Sequence, residues 1–213
     1  MAEVVAGGAA HWDRVHRRRD PTETSWYEPD PASSLQVLGE LGVDPGEAVI
    51  DVGAGASGIA AALLDRGFCD VTALDISAAA LQAARGQLGA RAEQVRWIEA
   101  DLLAWTPPRQ FQVWHDRAVF HFLTEQRQRH RYRTLLADAV APGAALVMAT
   151  FAADGPVQCS GLPVQRWDAT ALAAELGPGW DVRVSRRVEH HTPAGVVQPF
   201  LYVGARHVGV PRQ

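Results

Sequence analysis

Short apolar runs recur along this chain at intervals wide enough to hold a helix between them. Residues 49–52, 71–74, 95–99, 111–115 and 144–151 each read as a strand, the last almost continuously apolar. Apolar runs without alternation mark strands covered on both faces, as in a parallel sheet. Helical stretches are expected at 58–66, from Ser77 as N-cap to about Gly89, and at 124–140, where Pro142-Gly143 stops the helix. Upstream, the pattern predicts a helix over 11–19, a Pro- and Thr-rich loop over 20–31, and a helix capped by Ser33 or Ser34 that ends at Gly42. The turn Asp44-Pro45-Gly46 then leads into the first strand. Downstream, a helix at 168–176 precedes strands at 182–188 and 200–205. No crossover helix separates those two, which makes them an antiparallel hairpin. The fold class that follows is α/β: a Rossmann-like, doubly wound, seven-stranded sheet with an antiparallel C-terminal hairpin. Residues 31–213 form that domain. Residues 1–30 are expected as a flexible N-terminus, small and disordered at first, whose later part forms a lid.

The chemistry concentrates where the first strand ends. Asp51-Val52-Gly53-Ala54-Gly55-Ala56-Ser57-Gly58 runs from that strand into an apolar helix, and Asp75 ends the second strand. A strand, glycine turn, helix, strand and acid in this order hold an adenosine-containing cofactor at the carboxyl ends of parallel strands. Gly53 and Gly55 are expected to let the backbone approach that ligand, and Asp75 to accept both ribose hydroxyls. Gly53, Gly55 and Gly58 also satisfy G-x-G-x-x-G, so glycine spacing alone leaves a nicotinamide or flavin dinucleotide open. Asp51 argues the other way. A carboxylate two residues before the first glycine repels a pyrophosphate but suits a cofactor bearing a sulfonium and an α-ammonium group.

Composition changes this picture little. The 213 residues are 47% hydrophobic and 21% charged, enough for one well-filled domain. The formal net charge of −4 disfavours a nucleic-acid partner, which calls for a basic face. Basic clusters at 17–19 and 127–133 read as solvated helix faces offset by nearby acids. Two cysteines, Cys69 and Cys159, imply no disulfide framework. No apolar run spans a bilayer and no signal peptide is visible, so no membrane partner is expected and the cytoplasm is the default location.

Asp51-x-Gly53-x-Gly55 resembles motif I of the class I S-adenosylmethionine (SAM) methyltransferases. The resemblance extends through Leu74-Asp75-Ile76-Ser77, 97–101, 114–123 and 159–163 to a bacterial group of small methyltransferases, and covers most of the chain from His11-Trp12-Asp13 to Tyr202. More distantly it is similar to methyltransferase-like enzymes that modify protein lysines. The resemblance implies that Asp51, Gly53, Ala54 and Gly55 border the methionine portion of the cofactor and that Asp75 binds the ribose. Ile76 and Leu102 pack about the adenine, and Asp101 accepts from its amino group. Ser57 stands where the family usually has a third glycine and can donate to the cofactor carboxylate.

Trp26 and Tyr27, adjacent aromatics in a polar loop, are expected to cover the cofactor cleft. The mouth of the cleft lies at the end of the fourth strand. There, His115, Asp116 and His121 are candidate catalytic residues, and His115 a cofactor contact as well, since histidine titrates near neutral pH. The alternative for His121, between Phe120 and Phe122, is a core histidine. Cys159, His191 and Gln198 fall in loops that roof the substrate pocket in this fold. Cys159 with His190 and His191 matches no zinc spacing, and adjacent histidines on a strand face opposite ways, so no metal is expected. The reading is a monomeric or homodimeric SAM-dependent methyltransferase of a small molecule. A protein lysine methyltransferase would need an acidic groove and an open cleft. A non-catalytic SAM-binding protein is the reading from outside enzymology.

Overall fold

The computed structural model describes residues 7–209; residues 1–6, part of the stretch expected to be disordered, lie outside them. Helix α1 (Gly8–Arg18) and a short 3-10 turn (Pro21–Glu23) precede α2 (Ala32–Glu40). Alternation then begins: β1 (Val49–Val52), α3 (Ile59–Asp65), β2 (Val71–Asp75), α4 (Ala78–Leu88), β3 (Val95–Glu99) and β4 (Phe111–Arg117). After α5 (Gln126–Ala139) come β5 (Val140–Phe151), β6 (Gln158–Cys159), β7 (Leu162–Pro163), α6 (Ala169–Leu176), β8 (Trp180–His191) and β9 (Val197–His207). The main sheet has the order β3-β2-β1-β4-β5-β9-β8, with the first five strands parallel and β9 antiparallel to both its neighbours. The seven-stranded sheet with its closing hairpin is the predicted one.

Both faces are covered, and strand alternation sorts the side chains between them. Val49, Val71, Val113 and Val147 meet Leu35 and Leu38 of α2 and Ile59 and Leu63 of α3. Ile50, Val52, Trp114 and Leu146 meet Tyr132, Leu135 and Leu136 of α5 and Leu172 of α6. This is why β5 is almost continuously apolar from Ala144 to Phe151, and β1 apolar on both sides of Asp51. Ser77 caps α4 by accepting from the Ala80 amide, as expected, and Asp168 caps α6 through the Ala171 amide.

Several boundaries differ from the sequence reading. Ser34 caps nothing: α2 starts earlier, at Ala32 behind Pro31, and turns Ser34 fully inward. Strand β5 starts at Val140 rather than 144, because Gly143 takes φ +79° and lets the chain kink within the strand past Pro142. Strands β8 and β9 are longer than predicted and pair out to His191 and Val197, leaving only residues 192–196 as a connecting turn. Between β5 and α6, where a loop was expected, β6 and β7 form a tight hairpin. Its two central residues, Ser160 (φ +52°) and Gly161 (φ +77°), are both left-handed, the geometry that matches strand twist in two-residue hairpins.

Candidate active site

The glycine turn after β1 is left-handed at Gly53 (φ +65°) and Gly55 (φ +55°), but for different reasons. A Cβ on Gly53 would lie 1.9 Å from Val119 Cγ2, so the protein's own packing forbids a side chain there. A Cβ on Gly55 would meet nothing nearer than 3.9 Å, which leaves open space beside the backbone. Gly58 has φ −80°, and a Cβ there would meet only Pro31 Cδ, at 4.0 Å, so no third glycine is required. The G-x-G-x-x-G spacing is therefore incidental, and the dinucleotide reading loses its only support. Val119 reaches Gly53 because Ala118, at φ +71°, bends the chain sharply after β4. A left-handed alanine at that bend holds about 1 kcal/mol of backbone strain beside the cleft.

Asp75 ties the second strand to this turn. One carboxylate oxygen accepts from the Gly55 amide and the other from the Ser77 amide, each at 2.8 Å. Burial pushes its pKa up to about 6, against the lowering effect of those two amides and with a further rise from Asp51.

Two cavities open above the sheet and share His16, Trp26, Gly53, Gly55 and Arg117, so they form one cleft with a waist. Asp75, Ile76, Ala100 and Leu102 line one side of the first cavity, and Trp12, Val119, Phe122 and Cys159 the other. The second is lined by Asp51, Ala54, Ser57, Tyr27, Glu28, Ser34 and His115. His115 Nδ1 donates to Asp51 Oδ1 at 2.6 Å, and its Nε2 lies 2.8 Å from the Ser34 hydroxyl. Asp51 Oδ2 is buried with no hydrogen-bond partner among the described residues.

These residues fit SAM. An orphaned carboxylate oxygen on Asp51 matches an ammonium group, and the open space beside Gly55 admits a ligand to the backbone. Asp75 offers the remaining lone pairs of both oxygens to hydroxyls beside the apolar shelf of Ile76 and Leu102. Asp101 stands next to that shelf rather than in the cavity lining, and its Oδ1 accepts from the Leu103 amide.

The catalytic candidates fare differently. Asp116 and His115 are neighbours on β4, so they face opposite sides of the sheet. Asp116 points under α5, fully buried, and accepts from the Tyr132 hydroxyl at 2.5 Å and from the Val119 and Phe120 amides. Burial raises its pKa to about 6. It lines neither cavity of the cleft, contrary to the expectation of a polar wall. His121 is corrected in the same way. Its ring is wedged between Phe122 and Phe151, its Nδ1 accepts from the Phe151 amide at 3.3 Å, and burial with the nearby Arg117 charge lowers its pKa to about 3. It is a neutral core histidine. His115 remains at the cleft, with both ring nitrogens engaged.

Among the expected pocket residues, Cys159 lines the first cavity, and burial pushes its thiol up to about 11. His191 does not reach the cleft, because strand parity turns it to solvent and turns His190 inward, where Nε2 donates to the Ser25 carbonyl at 2.8 Å. Gln198 of β9, paired with His190 of β8, also lines neither cavity, although its Oε1 is buried without a partner among the described residues. Among the described residues no three of His, Cys, Asp or Glu gather into a metal site, and no helix is long and apolar enough to cross a membrane.

Sequence reasoning passed over Arg117, Trp12, Phe122 and His16. Arg117 shares its sheet face with Asp51 and His115, a relation the period-two pattern of β4 implies. Its Nε donates to the Tyr202 hydroxyl at 3.1 Å and lies 3.2 Å from Glu28, and its Nη1 donates to the Trp26 carbonyl at 3.0 Å. The N-terminal segment crosses the cleft on such ties. Asp13 of α1 accepts from the Ser77 hydroxyl at 2.8 Å and the Ala79 amide at 3.1 Å, which holds its carboxyl below the usual range. Trp12 meets Trp26 at 6.1 Å and Phe122 at 5.1 Å, both edge to face. His16 lies at the waist with Nδ1 buried and unpartnered among the described residues, and burial lowers its pKa.

Residues 49–143, the part that carries β1 to the start of β5, match a family described as a methyltransferase domain. No curated protein matches the chain. Among solved structures, one from work on converting a disulfide bond into a thioacetal group during echinomycin biosynthesis is 23% identical, with a TM-score of 0.73 over 93% of this chain and 92% of that one. A SAM-dependent methyltransferase from Anabaena variabilis is 16% identical, with a TM-score of 0.71 over 93% of each chain. The 1,6-didemethyltoxoflavin-N1-methyltransferase of Burkholderia thailandensis, solved with 1,6-didemethyltoxoflavin and S-adenosylhomocysteine, is 21% identical, with a TM-score of 0.66 over 83% of this chain and 77% of that one. At these identities the likeness is one of fold.

Proposed function

We propose that this chain, a class I SAM-dependent methyltransferase, methylates a small molecule enclosed beneath its own N-terminal segment. One observation carries the small-molecule reading. The waist of the cleft is roofed by α1 and the Trp26 loop, which are fastened to α4, β4 and β8 through Asp13, the Trp26 carbonyl and the Ser25 carbonyl. A protein side chain would need an open mouth at that point. The echinomycin and 1,6-didemethyltoxoflavin neighbours support the same reading by analogy of fold alone.

When bound, the cofactor supplies a methyl carbon on a positively charged sulfur. What the chain contributes is placement, exclusion of water and management of charge. Asp51, held by His115, presents its free oxygen to the ammonium end. Asp75 fixes the ribose end, and Ile76 and Leu102 enclose the adenine. The aromatic walls of Trp12, Trp26 and Phe122 keep water from the waist. Where the acceptor arrives protonated, His16 is the residue placed to take that proton at Nδ1, because burial keeps it neutral and no protein group already occupies that nitrogen. Asp116 and His121 have no part in this scheme.

The test is incubation of the protein with SAM labelled on the methyl group and with cell extract, followed by separation of small metabolites from macromolecules. Label in the small-metabolite fraction is expected. Label in protein would move the assignment to a protein methyltransferase. Cofactor binding with no label in any fraction would make it a non-catalytic SAM-binding protein. His16→Asn should lower turnover by about 10²-fold or more and remove a titration from the pH profile, with cofactor affinity little changed.

A further inference from the structure

The lining of the waist describes its acceptor more narrowly, on the premise of the methyltransferase reading above. Arg117 is buried, with a side chain 10% exposed, and lines both cavities. Its Nε and Nη1 are committed to Tyr202, Glu28 and the Trp26 carbonyl, and its guanidinium lies 5.0 Å over the Phe200 ring. Nη2 is buried with no partner among the described residues. A guanidinium presents its donors in a planar fork, and an unmet buried donor costs free energy until an acceptor reaches it. The rest of the acceptor side offers rings rather than charges. Trp12 stands at 74° to Phe122 and 78° to Trp26, and Val119 and Ala118 complete the wall.

A second feature lies on the outer face of α1. Where α1 meets the β6–β7 hairpin, a shallow cavity is lined by His11, Arg14, Arg18, Arg19, Ser160 and Gly161. Arg14, Arg18 and Arg19 are exposed and form no ion pair among the described residues, in a chain of net charge −4. They line neither cavity of the cleft, so their charge acts only at long range, on the rate at which anions arrive.

We infer that the methyl acceptor is an aromatic carboxylate, its ring held in the corner of Trp12, Trp26 and Phe122 and its carboxylate on Arg117 Nη2. Glu28 meets the guanidinium at Nε, 3.2 Å away, which leaves the neighbouring Nη2 as the donor that the acceptor's carboxylate reaches.

Protein saturated with S-adenosylhomocysteine is titrated calorimetrically with 2-naphthoate, 2-naphthamide and decahydro-2-naphthoate, which separate charge from aromaticity. The naphthoate should bind at least 10-fold more tightly than either relative. Arg117→Gln should bring naphthoate and naphthamide together at saturating S-adenosylhomocysteine, and Trp12→Leu should close the gap to the saturated acid. Replacing Arg14, Arg18 and Arg19 together by Gln should slow association and flatten its dependence on salt. If naphthoate fails to bind, or binds no better than the amide, the inference is overturned. That comparison uses the unmodified protein and so stands even if Arg117→Gln does not fold. Label entering small metabolites while no naphthoate binds would sink the acceptor class alone, whereas label entering protein would sink the reading beneath it.

Discussion

Gly53→Ala isolates what the first glycine of the turn is for. The structure puts two separate costs on the added methyl group. The first is conformational: φ +65° lies in the left-handed region, where an alanine costs about 1–2 kcal/mol relative to glycine. The second is steric: the new Cβ would stand 1.9 Å from Val119 Cγ2, far inside contact distance, so Val119 or the bend at Ala118 must move. Forcing extra volume into a packed site costs about 1–3 kcal/mol. The single substitution should therefore destabilise by about 2–5 kcal/mol in urea denaturation with no cofactor present. Val119→Ala alone should cost about 1–2 kcal/mol for its lost methyl groups. The two together should be less damaging than the sum of the singles by about 1–3 kcal/mol, because the smaller residue at 119 removes the collision and leaves the backbone term. Additive losses would mean that Val119 does not press on Gly53. A stable Gly53→Ala with weakened cofactor binding would return the glycine to the role expected from sequence, as space for the ligand.

Cofactor affinity should hold steady from pH 8 to 7 and weaken as pH falls through about 6, because protonated Asp75 is a poorer acceptor for hydroxyls; Asp75→Asn should weaken SAM by about 1–3 kcal/mol and abolish that dependence. Titrations at fixed ionic strength check this, and a pH-independent dissociation constant would place the ribose elsewhere. Asp13→Ala removes two hydrogen bonds that anchor α1 to the start of α4, at a partly exposed site worth about 1 kcal/mol. SAM should bind several-fold more weakly while the fold persists by circular dichroism, and unchanged affinity would argue against a lid. His121, with a pKa near 3 when folded and 6.5 when not, binds its proton in the unfolded chain first, so its share of stability is full above about 6.5 and lost as pH falls towards 3. His121→Leu should flatten that part of the acid stability curve and leave the pH profile of turnover alone; a shifted turnover profile would restore it to the active site.

The sheet was legible because its signals are local and repeat. Buried strands such as β2 and β5 advertise themselves by apolar runs, and Ser77 announces the start of α4 through one hydrogen bond. The boundaries that moved depended on contacts made from far away or on single backbone angles. Ser34 looks like a cap in isolation, yet it packs inward to meet His115, 81 positions later. The β6–β7 hairpin has strands of two residues each, too short for any periodicity, and hangs on a left-handed serine that sequence does not mark.

The site divides along a sharper line. The residues proposed to meet the cofactor sit on the backbone turn and at strand ends, where spacing alone fixes position, and this is why Asp51, Gly53, Gly55, Asp75 and Ile76 come together. Residues on the acceptor side depend on which face a strand presents, and one step in register reverses it. Strand parity separates His190 from His191, and it applies equally to β4. There it sends Asp116 under α5 and leaves His115 and Arg117 beside Asp51. The most polar stretch of the chain therefore splits between core and cleft. Its charged member in the cleft is Arg117, whose long side chain reaches the waist, where the short carboxylate at 116 would have found only Tyr132. A lid from this segment was expected, but not which residues of α1 face the cleft: nothing local singles out Trp12 and His16, because their placement is set by Asp13 reaching Ser77, 64 residues away. On the proposed reading, the segment held by these few polar ties over an aromatic interior is a lid that opens without disturbing the sheet, as an enclosed methyl transfer requires for its acceptor to enter and its product to leave.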